Sequence, residues 1–191
     1  MEKVKIIEAP LSKDAARELK AGDIVYINGE IYAARDAAHK LMIGLINEGK
    51  DLPLDIQNQI IYYVGPCPAR PGEVIGSAGP TTSSRMDAYA PKLIELGLTG
   101  MIGKGLRSSD VVNAMKAHCS VYFGAIGGAG ALIAKSIIKE EIIAFPELGP
   151  EALRKLTVKD FPATVIIDCE GNSLYDSGKA KFRSIKADVL G

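Results

Sequence analysis

The sequence predicts a single α/β domain with a mixed sheet flanked by helices. Strand-like apolar runs alternate with helix-like segments at short spacing, which favours an α/β or mixed-sheet fold. The chain has 191 residues, enough for one sizeable core but few for two. Its composition, 47% hydrophobic and 24% charged, is typical of a folded protein. We therefore expect one domain over residues 1–191, with residues 179–191 as a candidate loose tail.

The first elements are a hairpin and a helix. Residues 23–35, DIVYINGEIYAAR, contain two β-rich runs around Asn28-Gly29, a pattern that predicts a hairpin. A helix capped by Asp36 and stopped by Gly49 should follow. Arg35 would then lie where the strand ends and the helix begins, a place that favours an anion. The apolar face of this helix would consist of Ala38, Leu41, Met42, Leu45 and Ile46.

The middle of the chain predicts a strand, a stiff loop and a helix. QIIYYVG is strand-like, and GPCPARPGEVIG is typical of a rigid Pro/Gly loop followed by a short strand. A helix is expected from about Ser84 to Leu96, but Pro91 conflicts with its interior. Either this helix kinks, or a short turn precedes a helix that starts near Ala90.

The rest of the chain continues the alternation of strands and helices. The predicted strands are LTGMIGKG, SVYFGAIGG and EEIIAF, and the last apolar segment, ATVIIDCEGNSLY, predicts a hairpin. The predicted helices are SSDVVNAMKAHC with serine caps, AGALIAKSI and PEALRKL.

Composition and charge exclude several classes of function. The net charge is zero, so no overall field favours nucleic acid or a membrane surface. The three cysteines are far apart, which argues against a disulfide framework and against a metal site within this chain. The N-terminus lacks the apolar core of a signal peptide, and no run reaches membrane-spanning length. We expect a cytoplasmic protein.

Three basic residues stand beside glycine-rich turns: Arg35, Arg85 and Lys104. An arginine can hold a carboxylate with two parallel hydrogen bonds, and a lysine adds a point charge. If the three converge, they suit a small dianion such as a dicarboxylate or a phosphate. The alternative is that each is a solvated surface charge. GAIGGAG has the wrong spacing for a dinucleotide-binding loop, which disfavours a nucleotide site.

Thr81 and Thr82 follow Gly79-Pro80 and allow two interpretations. Threonine is commonly a helix N-cap in such a place. The functional alternative is a hydroxyl held beside Arg85 and Lys104, where neighbouring cations favour an ionised oxygen that could accept a proton.

Several motifs in order resemble one family. GPTTSSRMDAYAP, MIGKGLRS, YFGAIGGAGALIAKSI, FPELGPEAL and VKDFPATVIID closely resemble the β subunit, or C-terminal domain, of class I fumarases and L-tartrate dehydratases. GEIYAARDAAHK and YYVGPCPARPGEVIGSAGPTT are similar to earlier motifs of this family. The resemblance extends roughly from Ala9 to Asp176. It implies a swivelling β/β/α domain.

The resemblance also implies half of an iron–sulfur hydro-lyase. A 4Fe–4S cluster would be held by cysteines of a separate α subunit, and this chain would bind no metal itself. The chain would contribute contacts to a small dicarboxylate substrate and would be inactive alone. A homodimer is one form that the lone chain could take.

The site roles implied by the resemblance fall on matching positions. Arg35 and Arg85 resemble the arginines that meet substrate carboxylates, with Thr82 as a further substrate contact. Lys104 resembles the active-site lysine, which contacts substrate and takes part in catalysis. Thr81 resembles the candidate base that removes the C3 proton of malate. One departure is HCSVYFG at His118, which concerns a strand entry and not these positions.

The first functional hypothesis is the β subunit of a class I fumarate hydratase that interconverts fumarate and (S)-malate. The β subunit of an L-tartrate dehydratase is the closest alternative. A non-catalytic module that binds dicarboxylates or regulates a partner enzyme is the alternative from another class, and it would have no need for Thr81.

Overall fold

The computed structural model describes residues 4–125 and 129–178. The candidate tail, residues 179–191, and the glycines Gly127 and Gly128 of GAIGGAG lie outside the described residues. The strands are β1 (Lys5–Ala9), β2 (Ile24–Ala33), β3 (Ile60–Tyr62), β4 (Gly100–Gly103), β5 (Val121–Gly124), β6 (Ile137–Ala144) and β7 (Leu153–Ile167). The helices are α1 (Lys13–Arg17), α2 (Asp36–Asn47), α3 (Ala90–Glu95), α4 (Ser109–His118) and α5 (Gly130–Ala134), with 3-10 turns at Ser83–Met86 and Pro146–Glu151.

The seven strands form one mixed sheet, in the order β1-β2-β3-β4-β5-β7-β6. Strands β1 to β5 pair in parallel, whereas β7 is antiparallel to β2, β5 and β6. Because β7 pairs with both β5 and β2, strands β2, β3, β4, β5 and β7 close a ring. The predicted α/β class and mixed sheet are confirmed.

The sheet separates two apolar clusters. Along β3, Ile60 and Tyr62 belong to one cluster, and Ile61 and Tyr63 belong to the other. Both faces of this strand are therefore buried, as is usual for parallel strands. The second cluster includes side chains from α2, α3 and α4, so these helices cover one face of the sheet. No helix among residues 4–125 and 129–178 has the length and apolarity needed to cross a bilayer.

The hairpin predicted around Asn28-Gly29 is wrong. These residues lie inside the single strand β2, where the pairing with β7 is irregular between Ile27 and Gly29. Gly29 has φ +100°, and a Cβ there would overlap the carbonyl oxygen of Ala9 on β1. The glycine thus serves a bulge and a close strand contact instead of a turn.

The helix predictions are confirmed in part. Asp36 is the first residue of α2 and not its cap, and Leu41 is exposed although it was assigned to the apolar face. The alternative of a short turn followed by a helix from Ala90 is confirmed, and Pro91 lies in the first turn, where no N–H is needed. Ser108 caps α4 by accepting a hydrogen bond from the backbone N–H of Val111.

Two further predictions are wrong. The segment PEALRKL does not form a helix, because the 3-10 turn ends at Glu151 and β7 begins at Leu153. GEVIG contains no strand, although its loop packs against the rest of the domain. The late hairpin is reduced to an isolated bridge between Ile167 and Ser173 after the long strand β7.

Candidate active site

Arg35 and Lys104 leave the sheet at one edge. In the parallel strands β2, β3 and β4, Ala33 pairs with Tyr62, and Tyr62 pairs with Ile102. Arg35 follows Ala33 by two residues, and Lys104 follows Ile102 by two residues. Both therefore lie just beyond the carboxyl edge of the sheet, where α/β proteins bind ligands, with β3 between them.

The Arg35 side chain lies between Glu151 and Gly65, which belong to two other segments. Its guanidinium Nη2 lies 3.2 Å from Glu151 Oε1. The side chain also lies against Gly65, where a Cβ would come within 2.8 Å of Arg35 Cδ. Gly65, just after β3, therefore leaves the space that the arginine occupies.

Asp36 brings Arg35 and Arg85 together. Its Oδ2 accepts a hydrogen bond from Arg85 Nη2 at 2.9 Å, and its Oδ1 lies 3.6 Å from Arg35 Nε. The side chain of Arg85 is 49% exposed and that of Arg35 is 21% exposed. Two of the three predicted cations thus converge on one carboxylate and remain accessible to solvent.

Thr81 and Thr82 lie beside Lys104. The Thr81 backbone N–H donates to the carbonyl oxygen of Tyr63 at 2.7 Å, and Thr82 forms an isolated parallel bridge with Lys104. The N–H of Ser83 donates to the carbonyl oxygen of Lys104 at 2.9 Å. The side chain of Thr82 makes no cap hydrogen bond to the 3-10 turn that follows it, so the helix-cap interpretation does not hold for this residue.

The 3-10 turn Ser83–Met86 carries Arg85 and directly follows the threonine pair, so it connects Arg85 to the residues beside Lys104. The backbone N–H of Arg85 donates to the carbonyl oxygen of Thr82 at 3.4 Å. All five predicted residues therefore lie on three segments that follow β2, β3 and β4. They form a half-exposed edge that presents guanidinium, ammonium and hydroxyl groups, and such an edge can hold a small anion.

A second arginine–carboxylate group lies inside the protein next to this edge. The side chain of Arg107 is 0% exposed, and its Nε donates to Asp87 Oδ1 at 2.7 Å. Asp87 Oδ2 accepts the backbone N–H of Ser108 at 2.7 Å. The guanidinium carbon of Arg107 lies 5.3 Å from the ring centroid of Tyr63 and 5.2 Å from that of Tyr122. We call these residues the buried Arg107 group.

Tyr122 also connects the segment that carries Arg85 with the segment that carries Lys104. Its hydroxyl donates to the carbonyl oxygen of Gly105 at 2.9 Å, so Ser83 Oγ must be the donor in the 2.9 Å bond to the same hydroxyl. Burial raises the pKa of both Tyr122 and Tyr63, so both stay protonated and neither is a candidate base. Arg85 and Lys104 thus lie on segments that are held in place from within.

His39 connects the buried region to Arg35. Its backbone N–H and its Nδ1–H donate to the carbonyl oxygen of Arg35 at 2.9 and 2.8 Å. Its ring packs edge-on against Tyr63, with centroids 5.3 Å apart. Burial lowers the pKa of His39 to about 4, so the imidazole is neutral near pH 7. This geometry fits a structural histidine.

A cavity of about 520 Å³ lies away from the candidate site. It is lined by the Pro/Gly loop and α5, including Cys67, Ser77, Ala131 and Lys135, and by none of the five predicted residues. The candidate site is therefore not part of this cavity.

The cysteines do not form a cluster site within the described residues. Cys119 and Cys169 line a separate cavity of about 380 Å³ with His118, whereas Cys67 lines the larger cavity. Among residues 4–125 and 129–178, no group of three His, Cys, Asp or Glu side chains could hold a metal ion. This part of the chain therefore does not fit a 4Fe–4S cluster, which requires about three or four thiolates.

Sequence reasoning missed the acidic partners of the arginines. Asp36 was assigned to a helix cap, and its position directly after Arg35 was the available signal. Glu151 is distant in sequence and carried no signal, because the pairing of β7 with β2 brings it to Arg35. Arg107 follows a glycine loop, and nothing in its local sequence distinguishes it from a solvated charge.

The fold and the edge geometry define an α/β domain with a candidate anion site beyond its parallel strands. The sequence profile of the family described as Fumarase C-terminus matches residues 1–178. The chain belongs to this family, which confirms the resemblance seen in its motifs.

Three relatives illustrate the similarity. The chain is 37% identical over 187 residues to "Putative L(+)-tartrate dehydratase subunit beta" of Methanocaldococcus jannaschii, covering 95% of this chain and 96% of that protein. It is 43% identical over 151 residues to the anaerobic class I fumarate hydratase of Escherichia coli K12, covering 78% of this chain and 28% of that protein. It is 42% identical over 156 residues to fumarate hydratase 2 of Leishmania major, covering 81% of this chain and 28% of that protein. The chain thus spans less than a third of these two fumarate hydratases.

Proposed function

We propose that this chain is the β subunit of an iron–sulfur hydro-lyase that reversibly hydrates fumarate to (S)-malate. The observation that carries the proposal is the gathering of Arg35, Arg85, Lys104 and the threonine pair at one sheet edge, in a member of this family. The 4Fe–4S cluster would belong to a separate α subunit. The described residues of this chain do not fit the cluster themselves, because they include no group of side chains that could hold it.

The proposed binding roles follow from charge and geometry. Arg35 and Arg85 would each direct N–H groups at a carboxylate of the substrate, while Lys104 supplies a further positive charge. Thr82 lies beside Lys104 through the backbone bridge and would add a polar contact to the substrate. Anchoring both ends of a four-carbon dicarboxylate would fix its central carbons relative to Thr81.

Thr81 is the proposed base. In the dehydration direction its ionised oxygen would take the C3 proton of malate and become a neutral hydroxyl, and in the hydration direction that hydroxyl would return the proton. The neighbouring cations Arg85 and Lys104 favour an ionised oxygen over a neutral hydroxyl. The acid that protonates the leaving hydroxyl would come from the other subunit.

Tartrate is the second candidate substrate. The relative that matches this chain over almost its whole length carries the name of a tartrate dehydratase β subunit. Tartrate has one hydroxyl more than malate, and a pocket that accepts it would need a hydrogen-bond partner for that group.

The test is anaerobic reconstitution with a candidate cluster-bearing α subunit. We expect turnover of malate and fumarate only when both chains are present. A preference for L-tartrate would keep the half-enzyme and change its substrate. If a formed complex with an intact cluster turns over none of the three, the enzymatic proposal fails and the non-catalytic dicarboxylate module is favoured.

The role of Thr81 is tested in the same complex. We expect Thr81→Ala to lower kcat about 10²- to 10⁴-fold, the range typical of a lost general base. Thr81→Ser should retain much of the activity because it keeps a hydroxyl, and Thr157→Ala on β7 is a matched control. Full turnover by Thr81→Ala would remove the base assignment.

A further inference from the structure

Asp36 occupies an unusual place in the candidate site, because it contacts both substrate-binding arginines. Its two oxygens face different partners: Oδ2 accepts from Arg85 Nη2 at 2.9 Å, and Oδ1 faces Arg35 Nε at 3.6 Å. The two arginines lie on segments 50 positions apart in sequence. The carboxylate of Asp36 therefore links the end of strand β2 directly to the 3-10 turn Ser83–Met86.

The contact with Arg35 is incompletely satisfied. Asp36 Oδ1 and Arg35 Nε are both buried atoms, and neither has a hydrogen-bond partner among the described residues. A buried polar atom without a partner is costly, so a small approach of the two groups would be favoured. Arg35 is already held on its other side by Glu151 at 3.2 Å, whereas the half-exposed Arg85 has Asp36 as its ion-pair partner.

The charges of the cluster explain what such a link would do. Two guanidinium groups close together repel each other, and a carboxylate between them removes the repulsion. Asp36 and Glu151 neutralise the charges of Arg35 and Arg85, so Lys104 supplies the net positive charge of these five described side chains. Recognition of a dianion here would therefore depend on the direction of the N–H groups more than on total charge.

We propose that Asp36 is a positioning residue that sets the spacing and direction of Arg35 and Arg85 for the two carboxylates of the substrate. This inference rests on the proposed function and adds to it a residue that does not touch the substrate. The competing explanation is that Asp36 only stabilises α2, whose first residue it is.

The two explanations predict different kinetics for Asp36→Asn in the reconstituted complex. Loss of the carboxylate removes the fixed direction on which recognition depends, so the Ki of a simple dicarboxylate inhibitor such as succinate should rise about threefold or more, although one positive charge is freed. The arginines lose their fixed direction, so kcat should fall about 10- to 100-fold. A role confined to helix stability would lower the melting temperature and leave kcat unchanged.

Asp110→Asn is the matched control. Asp110 is the acidic residue in the first turn of α4, is exposed, and belongs to no part of the candidate site. Asp110→Asn should show the loss of melting temperature that comes from helix stability alone, and it should show no loss of kcat. If Asp36→Asn keeps kcat within twofold of the parent complex, the proposal is overturned.

A second measurement tests the pairing of Asp36 with Arg85 independently of the proposed function. Phenylglyoxal modifies arginines, and an arginine paired with a carboxylate is shielded from it. We expect Arg85 in Asp36→Asn to be modified at least several-fold faster than in the parent chain, as followed by peptide mass spectrometry. An unchanged rate overturns the positioning role, whereas an absence of turnover by the parent complex counts only against the proposed function.

Discussion

Two arginine–carboxylate groups lie next to each other at this end of the sheet, and they differ in solvent exposure. At the edge, the side chains of Arg85 and Asp36 are 49% and 31% exposed. In the buried group, those of Arg107 and Asp87 are 0% and 13% exposed. The same pair of residue types is therefore found once at the partly exposed edge and once in the interior.

The difference in burial separates ligand binding from support. Exposed ion pairs contribute little to stability, so the pairing of Arg85 with Asp36 orients the guanidinium at the edge more than it stabilises the fold. A buried guanidinium must keep its partner, because an unpaired charge in the interior is strongly unfavourable. The buried Arg107 group can therefore fix the segments that carry Arg85 and Lys104, while the edge remains available to a ligand.

The largest expected effect is that of Arg107→Met on stability. The substitution leaves Asp87 partly buried without its charged partner, so the free energy of unfolding should fall by about 3–5 kcal/mol. The exposed counterpart, Arg85→Met, should lower it by less than about 1 kcal/mol. Urea unfolding of the two variants measures both values.

The double variant Arg107→Met/Asp87→Asn sharpens this comparison. Removal of the second charge should recover part of the loss, since contacting residues are not additive. Equal destabilisation by Arg107→Met and Arg85→Met would show that the difference in burial does not govern their roles.

The next effect concerns pH and His39. The pKa of His39 is about 4 in the folded chain and 6.5 in the unfolded one, so between these values the unfolded state binds more protons. Stability should therefore be complete above about pH 6.5 and fall by roughly 3 kcal/mol as the pH drops to about 4. Urea unfolding at a series of pH values measures this slope.

His39→Gln is the variant that isolates the histidine. Glutamine does not titrate and retains an amide donor for the carbonyl oxygen of Arg35, so the slope between pH 4 and 6.5 should flatten. Burial alone would raise the carboxyl pKa of Asp23, but hydrogen bonds from Lys5 and from the backbone N–H of Lys20 outweigh it and lower the pKa below its usual 3.8, so Asp23 titrates below this window. A slope that persists in His39→Gln would assign the acid sensitivity to another group.

The contrast between edge and interior also shows what the sequence could predict. Arg35 and Lys104 were placed correctly at strand ends, because glycines and charged residues directly follow apolar runs that are typical of strands. The Asn28-Gly29 hairpin was wrong, because a local turn signal was overridden by pairing of β2 with β1 and β7. Local patterns identified the elements, but not their partners.

The buried Arg107 group was beyond sequence reasoning for a similar reason. Tyr63 directly follows β3, and Asp87 directly follows the 3-10 turn Ser83–Met86. Arg107 lies in the loop after β4, and Tyr122 lies on β5. Nothing in GLRS distinguishes an arginine stacked between Tyr63 and Tyr122 from one in solvent. The assignment requires the parallel order of β3, β4 and β5, which only the assembled sheet provides.

The smallest expected effect tests how closely the interior is packed next to the edge. At Gly103, the last residue of β4, a Cβ would overlap Ser83 Oγ and lie 3.1 Å from Tyr63 Cδ2. Gly103→Ala should therefore lower the free energy of unfolding by about 1–3 kcal/mol, the usual cost of overpacking. In the matched control Gly44→Ala, within α2, a Cβ would meet nothing within 4 Å. That substitution should stabilise the chain by about 0.5–1 kcal/mol.

Ser83→Ala distinguishes overpacking from other causes of the Gly103→Ala effect. It removes the overlapping oxygen together with the hydrogen bond to Tyr122, and leaves Ser83 Cβ at 3.4 Å from the added methyl group, an ordinary contact. The double variant Gly103→Ala/Ser83→Ala should therefore lose less free energy of unfolding than the sum of the losses of the two single variants. Strict additivity would mean that Gly103 and Ser83 do not compete for the same space, and that the turn carrying Arg85 is not fixed to β4 by close packing.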